Sequence, residues 1–144
     1  DGAAILPHLD EFFAQHVGRW ADTPHPSLFL DPAQKDFFRR LTTVAGPTGW
    51  LRFTRLDWAG RAIAFHFGFC QDGNYLWYKP SFDIDLARRS PGEVLLRQLL
   101  LAALEEGAHA FDFGLGDEAF KRRFANRVRA VRTWGLYPTG RAAR

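Results

Sequence analysis

The chain predicts an α/β domain of the α+β type, a mixed sheet with helices against it, and three observations carry that prediction. Residues 7–20 and 90–107 show apolar spacings of three and four, the period of helices that bury one face. Between them, Arg61 to Gln71 alternates Ile63, Phe65, Phe67 and Phe69 with Ala64, His66 and Gly68, the period of a strand. A short apolar segment, Ala110 to Phe113, follows the second helical stretch, so a helix separates it from the earlier strands and it should join the sheet in parallel.

Taken in order, Leu9, Phe12, Phe13, His16, Val17 and Trp20 define an amphipathic helix over Pro7 to Trp20, and Ala21 to Leu30, with prolines at 24 and 26, is a connector. Asp31-Pro32-Ala33-Gln34 has the composition of a capping box with proline at the first helical position. Phe37, Phe38 and Leu41 mark the expected buried side of that second helix, which Gly46-Pro47 ends. Gly49 to Trp58 and Arg61 to Gln71 are strands joined at Ala59-Gly60. Asp72-Gly73 is a strong hairpin signal into a third strand, Asn74 to Lys79, giving an antiparallel meander. After Pro80 the regular pattern is expected to stop, with Ser81 to Arg89 as a loop. Ser90 then opens a helix whose Leu96, Leu99, Leu100, Ala103 and Leu104 face the core until Gly107. A helix from Asp117 to about Ala125 and a strand from Arg129 to Tyr137 complete the expected unit.

Composition bounds the function. The 144 residues are 47% apolar, 15% aromatic and 24% charged, the profile of one globular domain. The most apolar run, Val94 to Leu104, is too short to span a membrane and carries Arg97. One cysteine, Cys70, cannot form an internal disulfide and points to a reducing, cytoplasmic setting. His8, His16, His25 and His109 lack metal-binding spacing, so no metal site is expected. There is no Gly-x-Ser-x-Gly and no phosphate-binding Gly-x-x-x-x-Gly-Lys. His66 has two readings, a base or a packed side chain. The net charge of +3 hides an asymmetry: Lys121 to Arg144 holds eight basic residues and no acidic one, leaving eleven basic against sixteen acidic before it. That block fits a phosphorylated ligand or nucleic acid, or simply a solvated helix face and tail.

The chemistry concentrates at Phe111 to Phe124. Asp112 leaves the short strand, Gly114 and Gly116 form the turn, and Asp117 is placed to cap a helix carrying Lys121. Asp112 or Asp117 could act as a base or orient an acceptor, with Lys121 stabilising charge, and a structural account in which Asp117 caps the helix and pairs with Lys121 stands beside it. Where a meander meets a parallel strand, neighbours can diverge and leave backbone groups for a ligand.

Asp112-Phe-Gly-Leu-Gly-Asp-Glu-Ala-Phe-Lys121 resembles the Asp-Phe-x-x-Gly-Asp-x-x-Tyr-Lys signature of the acetyltransferase-like family associated with cellulose and exopolysaccharide synthesis, often called CelD-like. Phe120 stands where that family usually has tyrosine. Ser90-Pro91-Gly92 before Val94-Leu95-Leu96, and Gly60-Arg61-Ala62-Ile63-Ala64, resemble its turns upstream, so the similarity runs from Asp31 to Pro138. The resemblance implies the GNAT acyltransferase fold, shared with the Fem-type aminoacyl transferases. It implies an acyl-CoA donor whose pantetheine lies between Asn74–Lys79 and Ala110–Phe113, beside Tyr78. It also implies a pyrophosphate at the helix start, near Arg88, Arg89, Ser90, Gly92 and Val94, where Arg89-x-x-Gly92-x-Val94 matches two of the three anchors of the fold's loop. Ser90-Pro91-Gly92-Glu93 is equally a self-sufficient capping box, with Glu93 opposing an anion. The function implied by the resemblance is that of an acyltransferase acting on a small-molecule or glycan amine or hydroxyl in exopolysaccharide or cell-envelope metabolism, with residues 1–30 as N-terminal helix and linker and 31–138 as core. The whole of 1–144 would be the C-terminal lobe of a longer protein, partnered by its N-terminal lobe. A non-catalytic binding lobe and a Fem-type lobe engaging aminoacyl-tRNA stay open.

Overall fold

The computed structural model describes residues 2–136, which fall into two compact units, one up to Gly114 and one from Leu115 onward. The first begins with a short helix α1 (Gly2–Ile5), a 3-10 turn (Leu6–His8) and α2 (Leu9–Trp20). A 3-10 turn at Leu28–Leu30 leads into α3 (Pro32–Ala45). Pro32 occupies the first turn and the Asp31 side chain accepts from the Ala33 N–H, so Asp31 caps the helix on one side of the expected box.

The sheet has the order β1-β2-β3-β4, from β1 (Leu51–Trp58), β2 (Arg61–Gln71), β3 (Asn74–Phe82) and β4 (Ala110–Asp112). The first two junctions are antiparallel and the last is parallel. Ala59-Gly60 and Asp72-Gly73 close two-residue hairpins with positive φ at all four residues, between the pairs Trp58↔Arg61 and Gln71↔Asn74. That is the turn whose twist matches the strands. β3 outruns its expected end, passing through Pro80 to Phe82. A proline is tolerated there because beyond Leu76 the sheet pairs β3 with β2 alone, the situation of an edge strand. The expected loop after it is mostly a 3-10 helix, Ile84–Arg89.

Helices α2 and α3 cover one face of the sheet. Phe12, Phe13, Phe29, Phe38, Phe65 and Phe67 are buried there with Leu9, in edge and tilted ring contacts such as Phe12 to Phe29 at 5.3 Å and Phe38 to Phe67 at 5.0 Å. Phe37, expected on the buried side of α3, is 54% exposed; Thr42 is buried in its stead, its hydroxyl donating to the Phe38 carbonyl. α4 (Pro91–Glu105) packs against β2 and β3. It buries Leu95, Leu96, Leu99 and Ala103, while Leu104, expected inside, is exposed. The helical stripe lies one residue N-terminal to the expected one. α4 ends in a Schellman motif: Ala108 N–H reaches the Ala103 carbonyl, Gly107 N–H reaches Leu104, and Gly107 has φ of +75°.

In the second unit the last helix, α5, spans Ala119–Phe124, shorter than the expected Asp117 to Ala125. Residues 129–136 form no strand, and Tyr137, the end of the expected one, lies outside the described residues. The segment Arg129-Ala130-Val131-Arg132-Thr133-Trp134 does not keep a strict period of two, and a strand forms only when a neighbour pairs with it. No helix among the described residues is long and apolar enough to cross a membrane.

Candidate acyl-donor site

The ladder between β3 and β4 consists of Asn74↔Ala110, Tyr75↔Phe111 and Leu76↔Asp112, and stops there. β3 continues for six more residues, Trp77 to Phe82, while β4 turns away. The turn has a local cause. The Asp112 carboxylate accepts the Gly114 N–H at 2.7 Å, a side-chain-closed turn that removes this donor from strand pairing, and Gly114 takes φ of +70°. Close backbone approach continues only as far as the Trp77 carbonyl, 3.6 Å from where a Gly114 Cβ would stand. The β3–β4 pairing therefore ends at Leu76 and Asp112.

The far end of the open run reaches the start of α4. A Cβ on Gly92 would stand 3.2 Å from the Phe82 ring, so the first turn of the helix sits directly on the end of β3 and a side chain at 92 would require that ring to shift slightly. Ser90 does not form the expected capping box. It is left-handed, with φ of +52°, and its hydroxyl caps nothing; the Glu93 and Val94 N–H groups instead reach the Ser90 carbonyl at 3.0 and 3.2 Å. The 15-residue α4 thus presents the positive end of its dipole without a side-chain cap. Arg88 and Arg89 in the preceding turn are exposed, and the Arg89 guanidinium lies 5.8 Å from the centre of the Trp58 ring. A shallow cavity of about 320 Å³ beside them is lined by Trp58, Ile63, Leu86, Arg89, Pro91 and Val94. Arg88 and Arg89 bring positive charge to this helix start, where Pro91 has no N–H, the Glu93 and Val94 N–H groups already bond the Ser90 carbonyl, and Glu93 is acidic.

Tyr78 is the first of the expected donor-site residues to prove two-sided. Its ring stacks on Phe38 and leans on Phe69, on the α2–α3 face. Its backbone N–H donates at 3.4 Å to Nε2 of His66. His66 is fully buried, and its ring is stacked 4.8 Å from Trp77. Burial lowers its pKa from 6.5 to about 3, so the imidazole is neutral near pH 7. Of its two sequence readings, the packed side chain is the one the structure supports. What sequence reasoning missed is its contact with the β3 backbone at Tyr78, just beyond the last β3–β4 pair. The signal was Gly68, two residues on, a glycine within a strand of aromatics.

Asp112 belongs to the first unit; Asp117 and Lys121 belong to the second. Asp117 neither caps α5, whose cap residue is Glu118, nor pairs with Lys121. It forms a two-pronged pair with Arg122, and that bond holds its carboxyl below the usual range. The geometry follows from α5 starting two residues late, which puts Asp117 outside the helix and swings it toward Arg122. Lys121 is buried, and its ammonium donates to the Leu115 carbonyl at 2.6 Å and pairs with Glu118 at 2.7 Å. Lys121 in turn keeps the Glu118 carboxyl below its ordinary pKa. Gly116, at φ of +107°, completes a turn that only glycine adopts readily. Among the described residues no group of three or more His, Cys, Asp or Glu side chains could hold a metal ion.

A sheet that is antiparallel from β1 to β3 and parallel from β3 to β4, with helices packed against it, is a GNAT-like architecture. The chain belongs to the acetyltransferase (GNAT) domain family, whose model matches residues 1–122. No curated protein and no solved structure matches it. Acyl transfer is the general activity of that family.

Proposed function

We propose that this domain transfers an acyl group from acyl-CoA to an amine or hydroxyl, and that the resemblance of residues 112–121 to the CelD-like signature makes the acceptor a glycan or its precursor in cytoplasmic exopolysaccharide or cell-envelope metabolism. The observation that carries the reading is the run of β3 from Trp77 to Phe82, open on its β4 side and ending against Gly92. Backbone groups along that run can bond an extended amide-containing arm as a strand would. Arg88, Arg89 and the first turn of α4 would hold the pyrophosphate. Acyl-CoA supplies an activated thioester: a new N–C or O–C bond forms as the C–S bond breaks, and the acceptor's proton leaves with the thiol.

On this chain, Asp112 is the group at the mouth of the opening, and it takes or orients the acceptor's proton. Asp117 is less suited to that task, since its bond to Arg122 favours the ionised form and weakens it as a base. Lys121 lies in the second unit, its ammonium anchored on the Leu115 carbonyl and Glu118. The domain works in this reading as one lobe of a longer protein.

The test is Asp112→Asn, which retains an oxygen for the Gly114 N–H and so keeps the turn. Acetyl-CoA thiol release with amino-sugar acceptors should fall more than tenfold per folded molecule, about 1.4 kcal/mol of barrier. A folded variant with unchanged turnover removes Asp112 from the reaction.

A further inference from the structure

The register of the β2–β3 ladder skips at one point. Phe67 pairs with Lys79 and Phe69 with Leu76, so Gly68 alone opposes both Trp77 and Tyr78. This is a β-bulge on β3, which bends the strand and leaves a backbone group without its ladder partner. It begins at the first residue beyond the last β3–β4 pair, Leu76↔Asp112. The bulge and the divergence of the strands are therefore adjacent on one strand.

A side chain occupies the bulge. The Tyr78 N–H donates to His66 Nε2, and the imidazole lies flat on the Trp77 ring at 15°. The ring reaches that position across Gly68: a Cβ there would stand 2.5 Å from His66 Nε2 and closer still to Cε1 and to the Leu76 carbonyl oxygen, which no real Cβ does. An imidazole that accepts at Nε2 carries its proton on Nδ1. That Nδ1 is buried and has no hydrogen-bond partner. A buried unpaired donor is destabilising, a cost that an apolar side chain would not incur.

We infer that His66 is a positioning residue of the donor opening: seated over Gly68, it holds the Trp77–Tyr78 bulge by accepting the Tyr78 N–H and so fixes the stretch of β3 backbone that borders the acyl-CoA arm. The inference rests on the acyl-donor reading. It assigns His66 no contact with the reacting atoms. Neither the phenylalanine face nor α4 needs an imidazole at this position; the bulge does.

Two variants and one measurement on the unaltered protein test it. His66→Gln keeps an acceptor near Nε2, and His66→Leu fills similar space without one. The Leu variant should stay folded, exchange its Tyr78 amide faster, and bind acetyl-CoA at least tenfold more weakly, whereas the Gln variant should bind within threefold of the wild type. In the unaltered chain, the nitrogen resonances of His66 should show the proton on Nδ1, and acetyl-CoA should shift the Tyr78 amide. A folded Leu variant that binds as tightly as the wild type, or a proton found on Nε2, overturns the inference alone. Unaltered protein that does not bind acetyl-CoA overturns the donor reading and this inference with it.

Discussion

The two faces of the sheet are built on different rules. Toward α2 and α3, β1 and β2 present Phe53, Phe65 and Phe67, which meet Phe12 at ring separations of 5.9 to 6.2 Å in contacts that are apolar and interchangeable in kind. Toward α4, the same strand β2 presents Ala64, His66 and Gly68, and β3 and β4 add Tyr75, Trp77 and Phe111. Here the partners are specific: an imidazole needs a glycine beneath it, a backbone N–H at its edge and an indole against its plane. The first face supplies stability. The second gives up some of it to shape the opening at Leu76 and Asp112.

That contrast breaks first at Phe12. Phe12→Ala removes a fully buried ring with five phenylalanine neighbours and should destabilise the fold by about 3–5 kcal/mol. The folded fraction should bind acetyl-CoA as before. Gly68→Ala should cost less stability, about 1–3 kcal/mol of overpacking, yet weaken acetyl-CoA binding, because the His66 ring and the Leu76 backbone must move. Chemical denaturation and titration on the same samples give both quantities. Equal losses of affinity, once unfolded material is discounted, would erase the distinction between the faces.

A smaller effect appears with pH. Burial lowers the pKa of His66 from 6.5 to about 3, and burial is also the largest cause in lowering His16 from 6.5 to about 4. Below pH 6.5 the unfolded chain takes up protons that the folded chain refuses, so stability should fall from about pH 6.5 down to about pH 3 to 4. His16 donates to or accepts from Ser27 at 2.8 Å, whereas His66 has one nitrogen unpartnered. The difference in melting temperature between wild type and His66→Gln should therefore shift against the wild type as the pH drops through this window. A difference that stays constant from pH 7 to pH 4 would mean that His66 titrates alike in both states.

The phenylalanine face was legible because a strand's period of two and a helix's spacing of three and four are properties of the sequence itself. The hairpin at Asp72-Gly73 was legible because its turn requires left-handed residues, which Asp and Gly supply; at Ala59-Gly60 only the glycine favours that region. Topology showed only that pairing can lapse where a meander meets a parallel strand; the place, between 74–79 and 110–113, came from the family resemblance, and the turn that Asp112 closes ends the ladder. The rest depends on geometry that no period encodes. Ser90 carries the sequence of a capping box, yet a left-handed backbone aims its hydroxyl away from the helix. Asp117 and Lys121 have the spacing of a helical pair, but α5 begins after Asp117, so Arg122 and Glu118 become the partners. His66 is one alternating position among several until a skipped register gives it a bulge to fill.

The central claim is that the opening between β3 and β4 receives an acyl-CoA. Nuclear magnetic resonance of the isotopically labelled chain during acetyl-CoA titration addresses it directly. The account predicts saturable shifts at the amides of Trp77, Tyr78, Lys79 and Gly114, along the diverging strands, and at Gly92 and Glu93 where α4 begins, with Arg89→Glu weakening binding at least tenfold. Saturating acetyl-CoA that leaves these amides unmoved, or moves only residues of the α2–α3 face, would contradict it.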